Sequence, residues 1–182
     1  MTANAVLGVL VLAAAAAAAT AQTPPPVRGT IALEGTTQKV YAAMHIVIVK
    51  TIDGVEHVFH FTKDLLVHGG KGSGVDAFPG LEEGRTVVVH YTVAGAEETA
   101  QEIDRIGDEG LRTTEGIVTR VDRGRKQLTI KYFDGTSETL SLTNRAAAEA
   151  EQGLGQVTGA TVVVYYRDEA GNKVVHYFKR TP

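Results

Sequence analysis

The sequence predicts a mainly β protein of two tandem five-stranded small barrels, OB-like or SH3-like in strand order. A short helix is expected between strands three and four of the second. Three observations carry this prediction. Apolar residues alternate at period two in short runs, turn residues separate those runs, and the same order of landmarks occurs twice. Twenty glycines in 182 residues suit a chain of many turns and short strands.

The repeat is read from matched segments. Asp53-Gly54 is followed by His57-Val58-Phe59-His60-Phe61-Thr62, and Asp134-Gly135 at the same spacing by Glu138-Thr139-Leu140-Ser141-Leu142-Thr143. Thr86–Tyr91 matches Thr161–Tyr166, Ala100 and Ile103 match Val175 and Phe178, and Gly29-Thr30-Ile31 is set against Gly116-Ile117-Val118. These matches place a first unit at 29–107 and a second at 113–182, joined by the short Gly107-to-Arg112 link.

Within each unit the elements follow in order. Strand one begins after the glycine, and strand two carries Val47 and Val49, or Leu128 and Ile130. An Asp-Gly turn, a strong hairpin signal, leads into strand three. A longer connection precedes the valine-rich strand four, and Ala94-Gly95 or Ala170-Gly171 turns the chain into strand five. In the second unit that connection holds Arg145–Glu151, good helix formers ended by Gly153, with Asn144 as the expected N-cap. In the first it holds Lys63–Val67 and a glycine-rich loop, Gly69–Gly74, whose spacing is not that of a phosphate-binding loop. Five short strands with one apolar face leave open edges unless the sheet closes on itself.

Register follows from the Asp-Gly hairpins. A loop with one extra residue, bulged at Gly135, puts Leu128, Ile130, Leu140 and Leu142 on one face and leaves Gln127, Thr129, Lys131, Thr139 and Ser141 outside. The same register in the first unit turns Ile46, Ile48 and Val58 outward. That face is expected to pack against the other unit or against a second chain.

Residues Val6–Ala19 form an apolar run ending in Ala19-Thr20-Ala21, a small-x-small pattern. At about 14 residues the run is short for a membrane span. Residues 1–21 are therefore expected to be a signal peptide and 22–28 a proline-rich linker, which makes the protein periplasmic or secreted with no transmembrane segment after processing.

With no cysteine, disulfides, thiolate metal sites and cysteine nucleophiles are excluded. A net charge of −3 and an aromatic content of 6% argue against nucleic acid as a partner. No serine sits in a nucleophile-elbow context, and the carboxylates Glu82, Glu83, Glu97 and Glu98 lie in predicted turns, so no catalytic residues are assigned.

The chain resembles a family of exported bacterial domains of unknown function that often occur in tandem. The resemblance rests on Gly-x-Ile/Val, a Val-x-Val strand, an Asp-Gly turn, and Leu81-Glu82-Glu83-Gly84-Arg85-Thr86-Val87-Val88-Val89, of which the second unit keeps Gly159–Val164. It implies an OB-like architecture and brings no catalytic residues.

Histidine is the one residue type of chemical promise. Five of six lie in the first unit, His45, His57, His60, His68 and His90, with His176 in the second. Imidazole suits zinc, copper or nickel. His57 and His60 are three apart on a strand and face opposite ways. Convergence of His60, His68 and His90 requires strand four to lie beside the end of strand three. The expectation is a non-enzymatic exported module, with no resident cofactor, that binds an envelope protein, polymer or small ligand. The alternative is a periplasmic metal-binding protein using His57, His60, His68 and His90.

Overall fold

The computed structural model describes residues 30–69, 81–108, 110–152 and 157–181. The expected signal peptide, the proline-rich linker, Gly70–Gly74 and Gly153 lie outside those residues.

Strands β1 (Ile31–Tyr41), β2 (Ile46–Lys50), β3 (Glu56–His68), β4 (Thr86–Ala94) and β5 (Glu97–Arg105) close into one barrel in the order 1-2-3-5-4. Strands β6 (Arg112–Asp122), β7 (Gln127–Lys131), β8 (Ser137–Leu142), β9 (Thr161–Glu169) and β10 (Asn172–Arg180) repeat that order, with helix α1 (Asn144–Gln152) between β8 and β9. Among the described strand ladders, only β3–β5 and β8–β10 are parallel. This is the OB-type arrangement, which sets aside the SH3-like alternative.

Alternation fills each barrel. Val47, Val49, Phe59, Phe61, Val87, Val89, Ala100 and Ile103 form the first core, and Val118, Leu128, Ile130, Leu140, Leu142, Val162, Val164, Val175 and Phe178 line the second. Gly54 and Gly135 adopt the same φ of +89°, and their N–H groups donate to the carbonyls of Thr51 and Tyr132. That turn supplies the extra residue, and Leu128 pairs with Leu140 inside the barrel.

Two local readings are corrected. Gly116 corresponds to Gly35, not Gly29: Gly35 pairs with Val87 and Gly116 with Val162. Both lie where strands cross closely, and a Cβ would come within 2.7 Å of the Lys50 carbonyl at Gly35 and within 2.9 Å of the Lys131 carbonyl at Gly116. At the helix, Thr143 is the cap, its Oγ1 accepting from the Ala146 N–H at 3.0 Å, while Asn144 accepts from Lys126 Nζ. A hydroxyl one residue earlier meets the free N–H groups of the first turn without competing with them for the helical backbone.

The barrels pack face to face. Val88, Leu111 and Tyr165 are buried together between them, joined by Ala32, Ile106, Val163 and Tyr177. The link is part of this contact. Leu111 is fully buried, and its N–H donates to the Arg105 carbonyl at 2.6 Å. A Cβ on Gly110 would meet that same carbonyl at 2.1 Å, so only glycine fits there. The expected repeat–repeat contact through Ile46, Ile48 and Val58 is not the one formed. Val58 stays 48% exposed on the outside of the first barrel. The face that is buried belongs to β4, where Val87 to Tyr91 are covered on both sides.

Candidate metal centre

Strand β5 reads Glu102-Ile103-Asp104, with Ile103 in the first core. Period-two alternation therefore turns both carboxylates to the outer face, which the second barrel covers. Asp104 is wholly buried and Glu102 nearly so.

Histidines reach this pair from three elements. β3 slips in register between Phe61 and Leu66, then pairs with β5 again and sets His68 opposite Asp104. His68 Nδ1 lies 2.8 Å from Asp104 Oδ1 and 3.3 Å from Glu102 Oε1. On β4, His90 pairs with Glu102, and its Nε2 is 3.4 Å from Asp104 Oδ2. From the second barrel, His176 brings Nδ1 to 3.4 Å from Asp104 Oδ2 and 3.7 Å from Glu102 Oε1. His176 is the extra residue of a bulge in the β9–β10 ladder, between Val175 and Tyr177. A bulge re-aims the side chain it carries, and here it presents imidazole to the neighbouring barrel.

Helix α1 supplies an outer layer. Its Ala146, Ala147 and Ala150 pack into the second core, while Arg145 and Glu149 face the first barrel. Arg145 Nε donates to Glu102 Oε2 at 2.8 Å, and Glu149 Oε1 sits 2.8 Å from His90 Nδ1. Glu169 Oε1 lies 3.3 Å from His176 Nε2.

Proximity of opposite charge sets the protonation of the group. Hydrogen bonds to Asp104 and Glu102 raise His68 to about 9. Burial opposes the charge on His90 and His176, but the nearby carboxylates of Asp104 and Glu149 lift the first to about 9, and those of Asp104 and Glu102 lift the second to about 10. Burial likewise disfavours ionised Glu102 and Asp104. The imidazoles outweigh it, holding Glu102 at about 2 and Asp104 well below the usual carboxylate range.

Three buried atoms at the centre of the cluster nevertheless make no well-formed hydrogen bond, His90 Nε2, His176 Nδ1 and Asp104 Oδ2, and in the outer layer neither do Arg145 Nη1 and Glu149 Oε2. Leaving such groups unpaired costs about 1–3 kcal/mol each. The central three face one another across Asp104 Oδ2 at 3.4 Å, too far and too poorly angled to satisfy each other. One donor atom from each of His68, Glu102, Asp104 and His176 lies within 4.8 Å of the others, a spacing that can hold a metal ion.

Of the four histidines singled out from the sequence, the structure brings His68 and His90 to this cluster. Neither borders the other's strand, because β5 runs between them. His57 Nδ1 pairs with Glu98 at 3.0 Å, and His60 is exposed on the outer face of β3. His45 takes a left-handed conformation after the 3-10 turn Ala42–Met44. The sequence reading missed His176, Glu102, Asp104 and Glu149. The acid-apolar-acid pattern of Glu102-Ile103-Asp104 was the available signal, since two carboxylates on one face of a valine-rich barrel need partners.

No family model matches the chain, and no curated protein sequence matches it. Among solved structures the chain is similar to silver(I)-bound CusF, at 12% identity over 42% of this chain and 96% of that one, with a TM-score of 0.32. Residues 10–88 of silver(I)-bound CusF from Escherichia coli match at 12% identity over 43% and 92%, with a TM-score of 0.33. Residues 6–88 of apo-CusF from Escherichia coli match at 11% identity over 47% and 98%, with a TM-score of 0.32. Among the described residues, no helix is long and apolar enough to cross a membrane.

Proposed function

We propose that this chain is a non-enzymatic, exported metal-binding protein that holds one ion between its two barrels through His68, Glu102, Asp104 and His176. The observation that carries the reading is the set of buried atoms of His90, Asp104 and His176 that lack a hydrogen-bond partner and gather at one point. An ion there would satisfy groups that the protein leaves unsatisfied. Enclosure favours holding an ion over turning over an organic substrate, because Asp104 is fully covered. Export is supported by the apolar Val6–Ala19 run and its small-x-small end.

The test is thermal unfolding and equilibrium dialysis of the chelator-treated protein with and without zinc. An ion at about 100 times its dissociation constant adds about 2.7 kcal/mol, read as a rise of several degrees in Tm. One equivalent per chain, lost in Asp104→Asn and His176→Ala, supports the reading. If no ion binds, the reading fails. The cluster is then an ion-pair network that joins the barrels, and the module's ligand is to be sought among envelope proteins and polymers.

A further inference from the structure

We infer that the ion taken by this site is a borderline divalent cation of the zinc, nickel or copper(II) class, and that soft monovalent copper and silver are rejected along with calcium and magnesium. This inference rests on the metal-binding reading and narrows it.

Donor type is the first argument. The group offers two imidazole nitrogens, from His68 and His176, and two carboxylate oxygens, from Glu102 and Asp104, with His90 Nε2 beside them. Thiolate and thioether donors are what soft monovalent ions prefer. The chain has no cysteine, and Met44, one of its two methionines, is 59% exposed on the 3-10 turn of the first barrel. Calcium takes about six to eight oxygens and magnesium a near-octahedral oxygen shell, a demand that a half-nitrogen donor set does not meet.

Spacing is the second. Donors about 2.0–2.1 Å from a tetrahedral ion sit about 3.3–3.4 Å from one another. His68 Nδ1 to Glu102 Oε1 is 3.3 Å, His176 Nδ1 to Asp104 Oδ2 is 3.4 Å, and His176 Nδ1 to Glu102 Oε1 is 3.7 Å. Charge is the third. With neutral imidazoles, the buried carboxylates of Glu102, Asp104 and Glu149 set against Arg145 leave two negative charges, which a dication balances and a monovalent ion does not, at a site where Asp104 is wholly covered.

The surroundings match those of a ligating histidine. A metal-bound imidazole normally gives its other N–H to a carboxylate, which fixes the ring. Glu169 Oε1 stands 3.3 Å from His176 Nε2, leaving Nδ1 to face the cluster. Glu149 holds His90 in the same manner through Nδ1.

Zinc, nickel, copper(II), silver, calcium and magnesium salts are each titrated into the chelator-treated full chain, followed by calorimetry and by Tm. The expected result is one equivalent of zinc bound with a raised Tm, and no response to silver, calcium or magnesium. Zinc affinity is expected to fall by at least roughly 10- to 100-fold in His176→Gln. Should that variant fold poorly, Glu169→Gln touches only the half-exposed supporting carboxylate and is expected to weaken zinc by roughly 10-fold. Silver or calcium binding of equal strength that is lost in these variants would overturn the ion class while leaving the metal-binding reading intact. Zinc binding that both variants leave unchanged places the ion elsewhere and overturns this site. Absence of binding by any ion overturns the metal-binding reading itself.

Discussion

The two barrels share a topology, a hairpin and a ladder irregularity in strand five, yet they bring different chemistry to the contact between them. Register equates Val88 with Val163, His90 with Tyr165, Glu102 with Tyr177 and Asp104 with Lys179. Equivalent positions on β4 and β9, Val88 and Val163, both take part in the contact. In a homodimer the two halves of such an interface carry identical side chains. Within one chain they are free to differ. At these equivalent positions the first barrel presents imidazole and carboxylate, and the second presents tyrosines and Lys179. Tyr165 Oη donates to Glu34 Oε2 at 2.6 Å, and Lys179 pairs with the same carboxylate. The barrels part again after strand three. β3 runs on to deliver His68, while the second chain segment turns into α1 and delivers Arg145 and Glu149.

The comparison breaks most visibly at Asp104. Asp104→Ala leaves three imidazoles without their shared partner, and a loss of about 3–5 kcal/mol is expected in urea unfolding. Lys179→Ala at the equivalent position of the second barrel should cost only about 1 kcal/mol, since Lys179 is partly exposed. Equal losses at both positions would mean that the acidic half of the interface is not the dominant one.

Acidity separates the halves next. His68, His90 and His176 are raised in the folded state, so the stability they confer is fully present below their ordinary value near 6.5 and drains as pH climbs through about 9 to 10. Glu102 and Asp104 are lowered, so their contribution is present above the ordinary carboxylate range and is lost as pH falls toward 2. Tm in the presence of chelator should therefore be highest between about pH 4.5 and 6.5 and decline toward pH 10. Asp104→Asn should flatten the alkaline decline, and a decline of undiminished size in that variant would assign it to other groups.

The smallest effect is expected on the outer faces. Val58→Thr copies the second barrel, where Thr139 stands at that position and bonds Thr129 at 3.0 Å. A change under about 0.5 kcal/mol is expected. A larger loss that grows with protein concentration would show this face to be covered by a second chain.

Much of the fold was legible in the sequence. The core positions of β2, β3, β7 and β8 follow from alternation and the Asp-Gly turns, because both are short-range steric facts. Errors were local as well. Gly29 and Gly35 precede similar residues, and only the close crossing at Gly35 and Gly116 shows which pair is equivalent. Thr143 and Asn144 are both good caps, and one residue of helix phase decides between them. The site was legible only in part. Histidine as the promising residue type, with His68 and His90 among the candidates, came from composition and position, while His57 and His60 were included by residue type although their spacing sets them on opposite faces.

What the sequence by itself determined is the number of strands, the face each residue takes, and the presence of two similar units. Those properties depend on neighbours a few residues away. The tertiary structure decided which outer face is buried, that β5 separates the strands of His68 and His90, and that His176 completes a cluster more than 70 residues from Asp104. Its reason is geometric. Convergence depends on how one closed barrel docks on another and on a single bulged residue, and neither leaves a periodic trace along the chain.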